Sequence, residues 1–256
     1  MTKEINIDDL KNHIGDLIRD FSKRRRHCGA HLRRAHHFYQ TISDARVMAF
    51  WKLELSINNM LMLLEFDEKL LDYEWAKENF IEEIDTSQIY KQNWSSFLAF
   101  ERFAYLMHLS SALESTFRVF IKTLKSKGYK NRYEGRRVPV YRQLFGLISI
   151  SEKTEEEYSR RLHNLFEYRN TIHNFGIFSP VSGDCVQIFN GQDTIAHKDG
   201  EKVGDLTFEK LNQMTQEAVD ILYDVITNSE IGEIEEVITD PLAKWEAKTR
   251  GATNHG

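Results

Sequence analysis

Apolar residues recur at helical spacings along most of this chain. Leu10, Ile14, Leu17, Ile18 and Phe21 fall three and four apart, and Asp8 stands where a capping acid would start that helix. Ser43 marks the predicted start of a second helix, ARVMAFWKLELSINNMLMLLEF. It is apolar on nearly every side from Met60 to Leu64, the pattern of a buried or interface helix. The acidic stretch from Glu65 to Asp85 carries Leu70, Leu71, Trp75, Phe80, Ile81 and Ile84 at positions that fit a third helix.

The polar run QIYKQNWSS, Gln88 to Ser96, reads as a boundary, after which a long helix reaches about Lys125. Phe97, Phe100, Phe103, Phe117 and Phe120 are read as its core, with His108 and Glu114 as polar exceptions. A further helix is predicted from Thr154 to Gly176. Thr154 and Glu157 have capping-box spacing, and Gly176 supplies a left-handed stop. Tyr158, Leu162, Leu165, Phe166 and Ile172 make its apolar stripe.

Beyond Gly176 the period changes to two. Cys185 to Phe189 and Thr194 to His197 read as strands around Asn190-Gly191, a hairpin signal. Asp205 or Thr207 opens a last helix with Phe208, Leu211, Met214, Ala218, Ile221, Leu222 and Val225 facing inward. Residues from Ser229 on read as peripheral, and the tail KTRGATNHG as disordered. The expected architecture is all-α: an N-terminal helical region over 1–90, a helical-bundle domain over 91–229 with a small β-hairpin near 185–198, and a peripheral tail over 230–256.

Composition narrows the class. The chain has 256 residues, enough for a sizeable core, and only three prolines, none before Pro139, which favours long helices. The sequence holds no run of about 18 apolar residues to span a membrane. The N-terminus MTKEINIDDL lacks the apolar segment of a secretory signal, so a cytoplasmic location is the expectation. Cys28 and Cys185 stand apart without a CxxC, so reduced thiols rather than a disulfide scaffold are expected.

The net charge of -5 opposes general nucleic-acid binding, so any such site must be local. Two basic stretches qualify. Lys23 to His37 holds six Lys or Arg, four His and no acid. It suits phosphates, or equally a solvated face neutralised by the acidic segment Glu65 to Asp85. Lys125 to Arg142 holds seven Lys or Arg, one Glu and three interleaved Tyr, in a loop set by Gly128, Gly135 and Pro139. Lys130, Arg132, Arg136, Arg137 and Arg142 supply cations for an RNA backbone and the tyrosines supply faces for bases; the plainer reading is a solvated connection. His27, Cys28, His31 and His36 invite a metal reading. One helix face gathers His27 and His31, but no second paired cluster completes a tetrahedral site, so neither a metal nor another cofactor is expected.

The remaining candidate chemistry lies at the end of the Thr154–Gly176 helix. Arg169 and His173 project from its apolar stripe four residues apart, with Asn170 and Asn174 one residue around. An inward arginine needs a partner, and Glu114 is the nominee, pairing either with Arg118 on its own helix or with Arg169 across helices. The structural alternative makes Arg169 an interhelical ion pair and His173 a cap.

The segment YRNTIHN resembles the signature of the HEPN superfamily, and FERFAYLMHLSSALESTFRVF, Phe100 to Phe120, is similar to that family's preceding core helix, with Glu114 and Arg118 at i,i+4. The resemblance covers roughly residues 95 to 228. It departs from the common pattern in leaving three residues, not four to six, between arginine and histidine. It implies an all-helical domain and a metal-independent endoribonuclease working as a homodimer on RNA, with Arg169, Asn170 and His173 catalytic and Asn174 and Glu114 in support. Many members of that family are inactive, and the competing reading of this chain is a non-catalytic helical interaction module in which Arg169 and His173 hold a dimer or bind a nucleotide or RNA. A toxin or defence role follows from family analogy alone, and a further alternative is that the basic N-terminal half binds an acidic partner such as a neutralising antitoxin while the fold does no chemistry of its own.

Overall fold

The stripe that begins at Leu10 continues through the basic run as one helix, α1, Ile7–Tyr39. The computed structural model describes residues 7–80, 86–133, 138–172, 186–190, 193–197 and 206–245. Ile14, Phe21, Cys28 and Ala35 are buried at every seventh position of α1, with Leu17 and His31 beside them. That repeat keeps one seam facing a neighbour over the helix's length. The neighbour is α2, Ala45–Leu70, whose Phe50 carbonyl accepts from the Cys28 thiol. Burial pushes that thiol's pKa up, so Cys28 packs as an inert apolar side chain. Asp44 caps α2, accepting from the Arg46 amide at 2.8 Å.

By length and composition α2 could cross a membrane. In the bundle its apolarity is spent on other helices: Leu53, Ile57, Met60 and Leu64 are fully buried. The acidic segment holds the end of α2 and a short α3, Tyr73–Phe80. The polar run Gln88–Ser96, expected as a boundary, is the first part of α4, which extends over Thr86–Ser126. Leu106, Leu109, Leu113, Phe117, Phe120 and Leu124 of α4 join residues of α1 and α2 in one continuous core. Phe100, expected in that core, is 69% exposed.

After α5, Val140–Phe145, and α6, Glu152–Ile172, the described chain resumes in two antiparallel strands. These are β1, Val186–Asn190, and β2, Asp193–His197, with Val186 opposite His197 and Asn190 opposite Asp193; β1 contacts α6. Helix α7, Phe208–Thr227, is capped by Thr207 and buries the stripe predicted for it, from Phe208 to Val225. A one-turn α8, Ser229–Gly232, follows.

The segment after α7 corrects its expected peripheral place. Ile231, Ile238 and Asp240 are buried, and Thr239 bridges to Asp44. Carbonyls of Ile231, Ile234 and Glu236 accept from the buried Arg46 guanidinium at 3.1, 2.7 and 3.2 Å. No apolar periodicity marks such a segment, because backbone acceptors hold it.

Two acids are buried between α2 and α4. Asp67 is 0% and Glu101 1% exposed. Burial pushes both carboxyls up, and the closeness of Glu101 pushes Asp67 further. A raised folded-state pKa makes stability fullest below the ordinary carboxylate range and erodes it as pH rises, since only the unfolded chain releases the proton freely. The expected result is that wild type loses stability from pH 5 to pH 8 by up to about 1.4 kcal/mol per pH unit for each proton this pair retains, and that Asp67→Asn flattens the slope. Denaturant melts of both proteins across that range check it; parallel curves would contradict it.

Candidate functional site

Helix α6 starts one turn earlier than its expected cap. Ser151, not Thr154, caps it: Ser151 Oγ accepts from the Thr154 amide at 3.2 Å. The helix buries Glu155, Ser159, Leu162, Leu165, Phe166 and Tyr168, and Arg169 continues the seam of Glu155, Ser159, Leu162 and Phe166. Along this seam Glu155 meets Arg132 of the α4–α5 loop, Phe166 meets Tyr141 of α5 and Arg169 meets Glu114 of α4.

Glu114 meets both of its nominated partners. Its Oε1 accepts from Arg118 Nη2 at 2.6 Å and Nε at 3.2 Å, while its Oε2 accepts from Arg169 Nη1 at 3.0 Å. Burial alone would push this carboxyl up, but the two guanidiniums outweigh burial and hold it below the usual glutamate range. The side chains of Glu114 and Arg169 are 22% and 23% exposed, whereas that of Arg118 is 68% exposed. The bridge to Arg169 is therefore the better shielded of the two and fastens α6 to α4.

The Arg169 guanidinium stands 5.2 Å over the Phe166 ring, and its buried Nε meets no acceptor among the described residues. Donor capacity therefore remains beyond what Glu114 uses. Asn170, next on the helix, is exposed. His173 and Asn174 lie outside the described residues.

The loop between α4 and α5 divides its cations. Arg132 is a structural latch, with Nη2 donating to the Phe145 carbonyl at 2.7 Å and to Glu155 Oε2 at 3.0 Å. Its amide also donates to the Gly146 carbonyl at 3.0 Å. The chain passes so close there that a Cβ on Gly146 would stand 2.2 Å from Asn131 Oδ1. Lys130 and Arg142 are exposed, the latter 5.9 Å over the Tyr133 ring. Arg136 and Arg137 lie outside the described residues. Among the tyrosines, Tyr129 is exposed, but Tyr141 is buried and stacks on Phe166 at 5.8 Å. Tyr141 is thus core rather than a platform for bases.

His163 of α6 is a further polar candidate that no sequence motif marks. Its Nδ1 lies 3.4 Å from Tyr141 Oη, with Glu167 and Arg142 in its electrostatic surroundings. Burial lowers its pKa, Glu167 opposes that and Arg142 adds to it. Its spacing of seven to Asn170 puts both on one face of α6, a signal the apolar pattern hid. His108 is exposed and lines a groove of about 430 Å³ with Lys52, Ser56, Ser111 and Pro241. Lys52 is held there by Asp240 at 2.7 Å.

Among the described residues, Arg24 and His27 of the basic run of α1 take their partners from α7. Arg24 Nε donates to Asn212 Oδ1 at 2.9 Å, Arg24 Nη1 donates to Gln216, and His27 Nε2 lies 2.8 Å from Asp220 Oδ1. Antiparallel packing of α1 on α2 sets Cys28 against Phe50, and so aligns the basic half of α1 with the start of α2 rather than with its acidic end.

Compared with family models, curated proteins and solved structures, the chain matches none.

Proposed function

We propose that this chain is a metal-independent endoribonuclease of HEPN type, cytoplasmic and acting as a homodimer on RNA. The observation that carries the reading is the Glu114–Arg169 bridge, which fixes the guanidinium one residue before the exposed Asn170.

Cleavage by this route needs few groups. The 2′-oxygen of a ribose attacks the adjacent phosphorus, the 5′-oxygen of the next nucleotide leaves, and a 2′,3′-cyclic phosphate remains. His173 accepts the 2′-hydroxyl proton, and a histidine of a second copy of the chain protonates the leaving oxygen. Arg169 bonds the phosphate oxygens as charge develops on them, with Glu114 fixing its plane. Asn170 orients the phosphate, with Asn174 in support. Lys130 and Arg142, with Arg136 and Arg137, grip the RNA backbone near the site.

The experiment is incubation of the purified chain with a mixed single-stranded and structured RNA in excess EDTA, followed by end-group analysis. Cyclic phosphate ends are the expected product. A second reading has its own support: Arg169 is mostly shielded and tied to Glu114, as a purely structural clasp would be. In that case the chain is a non-catalytic interaction or nucleotide-binding module, and Arg169→Ala loses dimerisation in a protein that never cleaved RNA.

A further inference from the structure

The face of α1 that meets α7 gathers three metal-ligating side chains away from Arg169. His27 and His31 stand four residues apart on α1, and Asp220 approaches them from α7. One ligand atom from each of the three lies within 4.8 Å of the other two. The two imidazoles meet edge to face at 4.7 Å. His31 is only 8% exposed, with Phe50 stacked at 5.5 Å and Tyr223 at 4.2 Å from its ring. Its Nδ1 is buried and meets no hydrogen-bond partner among the described residues. A buried polar nitrogen left unmatched is costly, and histidine lone pairs are matched by metals as well as by hydrogens.

We propose that His27, His31 and Asp220 form a binding site for a divalent transition-metal ion of the zinc class, with water as the fourth ligand. Two imidazoles and one carboxylate are the donors that zinc accepts in open tetrahedral sites. Donors at about 2.0–2.1 Å from a tetrahedral ion are roughly 3.4 Å apart, so side-chain rotations of about an ångström close the triangle. The ion enters between His27 Nε2 and Asp220 Oδ1, whose side chains are 37% and 46% exposed, leaving a path from solvent.

The surroundings are arranged around the carboxylate. Gln216 Nε2 donates to both Asp220 oxygens at 2.8 Å, fixing the ligand's plane as outer partners of metal sites do. Asp224, one turn on, adds negative field at His31 and is itself held by the Tyr158 hydroxyl; Arg34 opposes it with a positive charge from α1. Cys28 is no ligand, because its buried thiol donates to the Phe50 carbonyl, and His36 is exposed outside the cluster. A bound ion ties α1 to α7 and stands apart from the proposed cleavage chemistry.

The test is zinc titration of the full chain by calorimetry near pH 7.5, after stripping with EDTA and removing the chelator, with thermal melts at each end point. The expected result is one zinc ion per chain and a raised melting temperature. In His27→Gln and Asp220→Asn the expected affinity is at least about tenfold lower. Both changes sit at partly exposed positions and keep side-chain size, and far-ultraviolet circular dichroism confirms the fold. Absence of zinc binding by wild type would overturn the proposal, and so would binding left unchanged by both substitutions.

Discussion

Arg46→Met lowers the unfolding free energy by about 3–5 kcal/mol, the largest stability loss expected of any substitution discussed here. Arg46 is 2% exposed, and its Nε and Nη2 donate to the two oxygens of Asp44 at 2.9 and 2.7 Å. The guanidinium also lies 3.8 Å from the Tyr39 ring centre and serves three backbone carbonyls of the segment after α7. Without it, Asp44 stays buried and charged while those carbonyls lose their donor. The second variant is Asp44→Asn combined with Arg46→Met. It recovers part of the loss, because the stranded charge is gone while an amide oxygen still caps α2. Urea unfolding of the three proteins measures both effects. A loss under about 1 kcal/mol for Arg46→Met would place the pair among exposed ion pairs and contradict its role.

Arg169→Ala abolishes the proposed RNA cleavage by about 100-fold or more, and Arg169→Lys recovers little of it. Lysine can answer Glu114 with a point charge, but it lacks the planar fork that bonds two phosphate oxygens together. The lysine variant therefore keeps the α4–α6 clasp that Glu114 accepts across 3.0 Å while losing the chemistry. Single-turnover cleavage, with melting temperature as the control for folding, separates the two roles. Full activity in either variant would remove Arg169 from the site.

Much of this architecture was legible in local pattern. The stripe Leu10–Phe21 specifies the start of α1, and Phe208–Val225 specifies α7, because each buries one face at helical spacing. Glu114 was legible as a partner for arginine, but the sequence offered Arg118 or Arg169 as alternatives, whereas the carboxylate takes one on each oxygen. The cap of α6 was misplaced because Ser151 and Thr154 are both good caps three residues apart, and only the backbone path selects the first.

Long-range pairings were not legible. His27 and His31 announced themselves by spacing, but Asp220 joins them from a helix 193 residues away. The segment carrying Ile231, Ile234 and Glu236 read as peripheral because Arg46 uses its carbonyls, which every residue has. Tyr141 looked like part of a basic, aromatic RNA loop; its stacking on Phe166 depends on how α5 packs against α6.

The most direct test of the ribonuclease reading is cleavage of a mixed RNA in EDTA by wild type and by His173→Ala, matched for fold and oligomeric state. The predicted result is cleavage by wild type that leaves cyclic phosphate ends and falls by about 100-fold or more in the variant. Equal cleavage by both proteins, or none by wild type as a verified dimer, would contradict it.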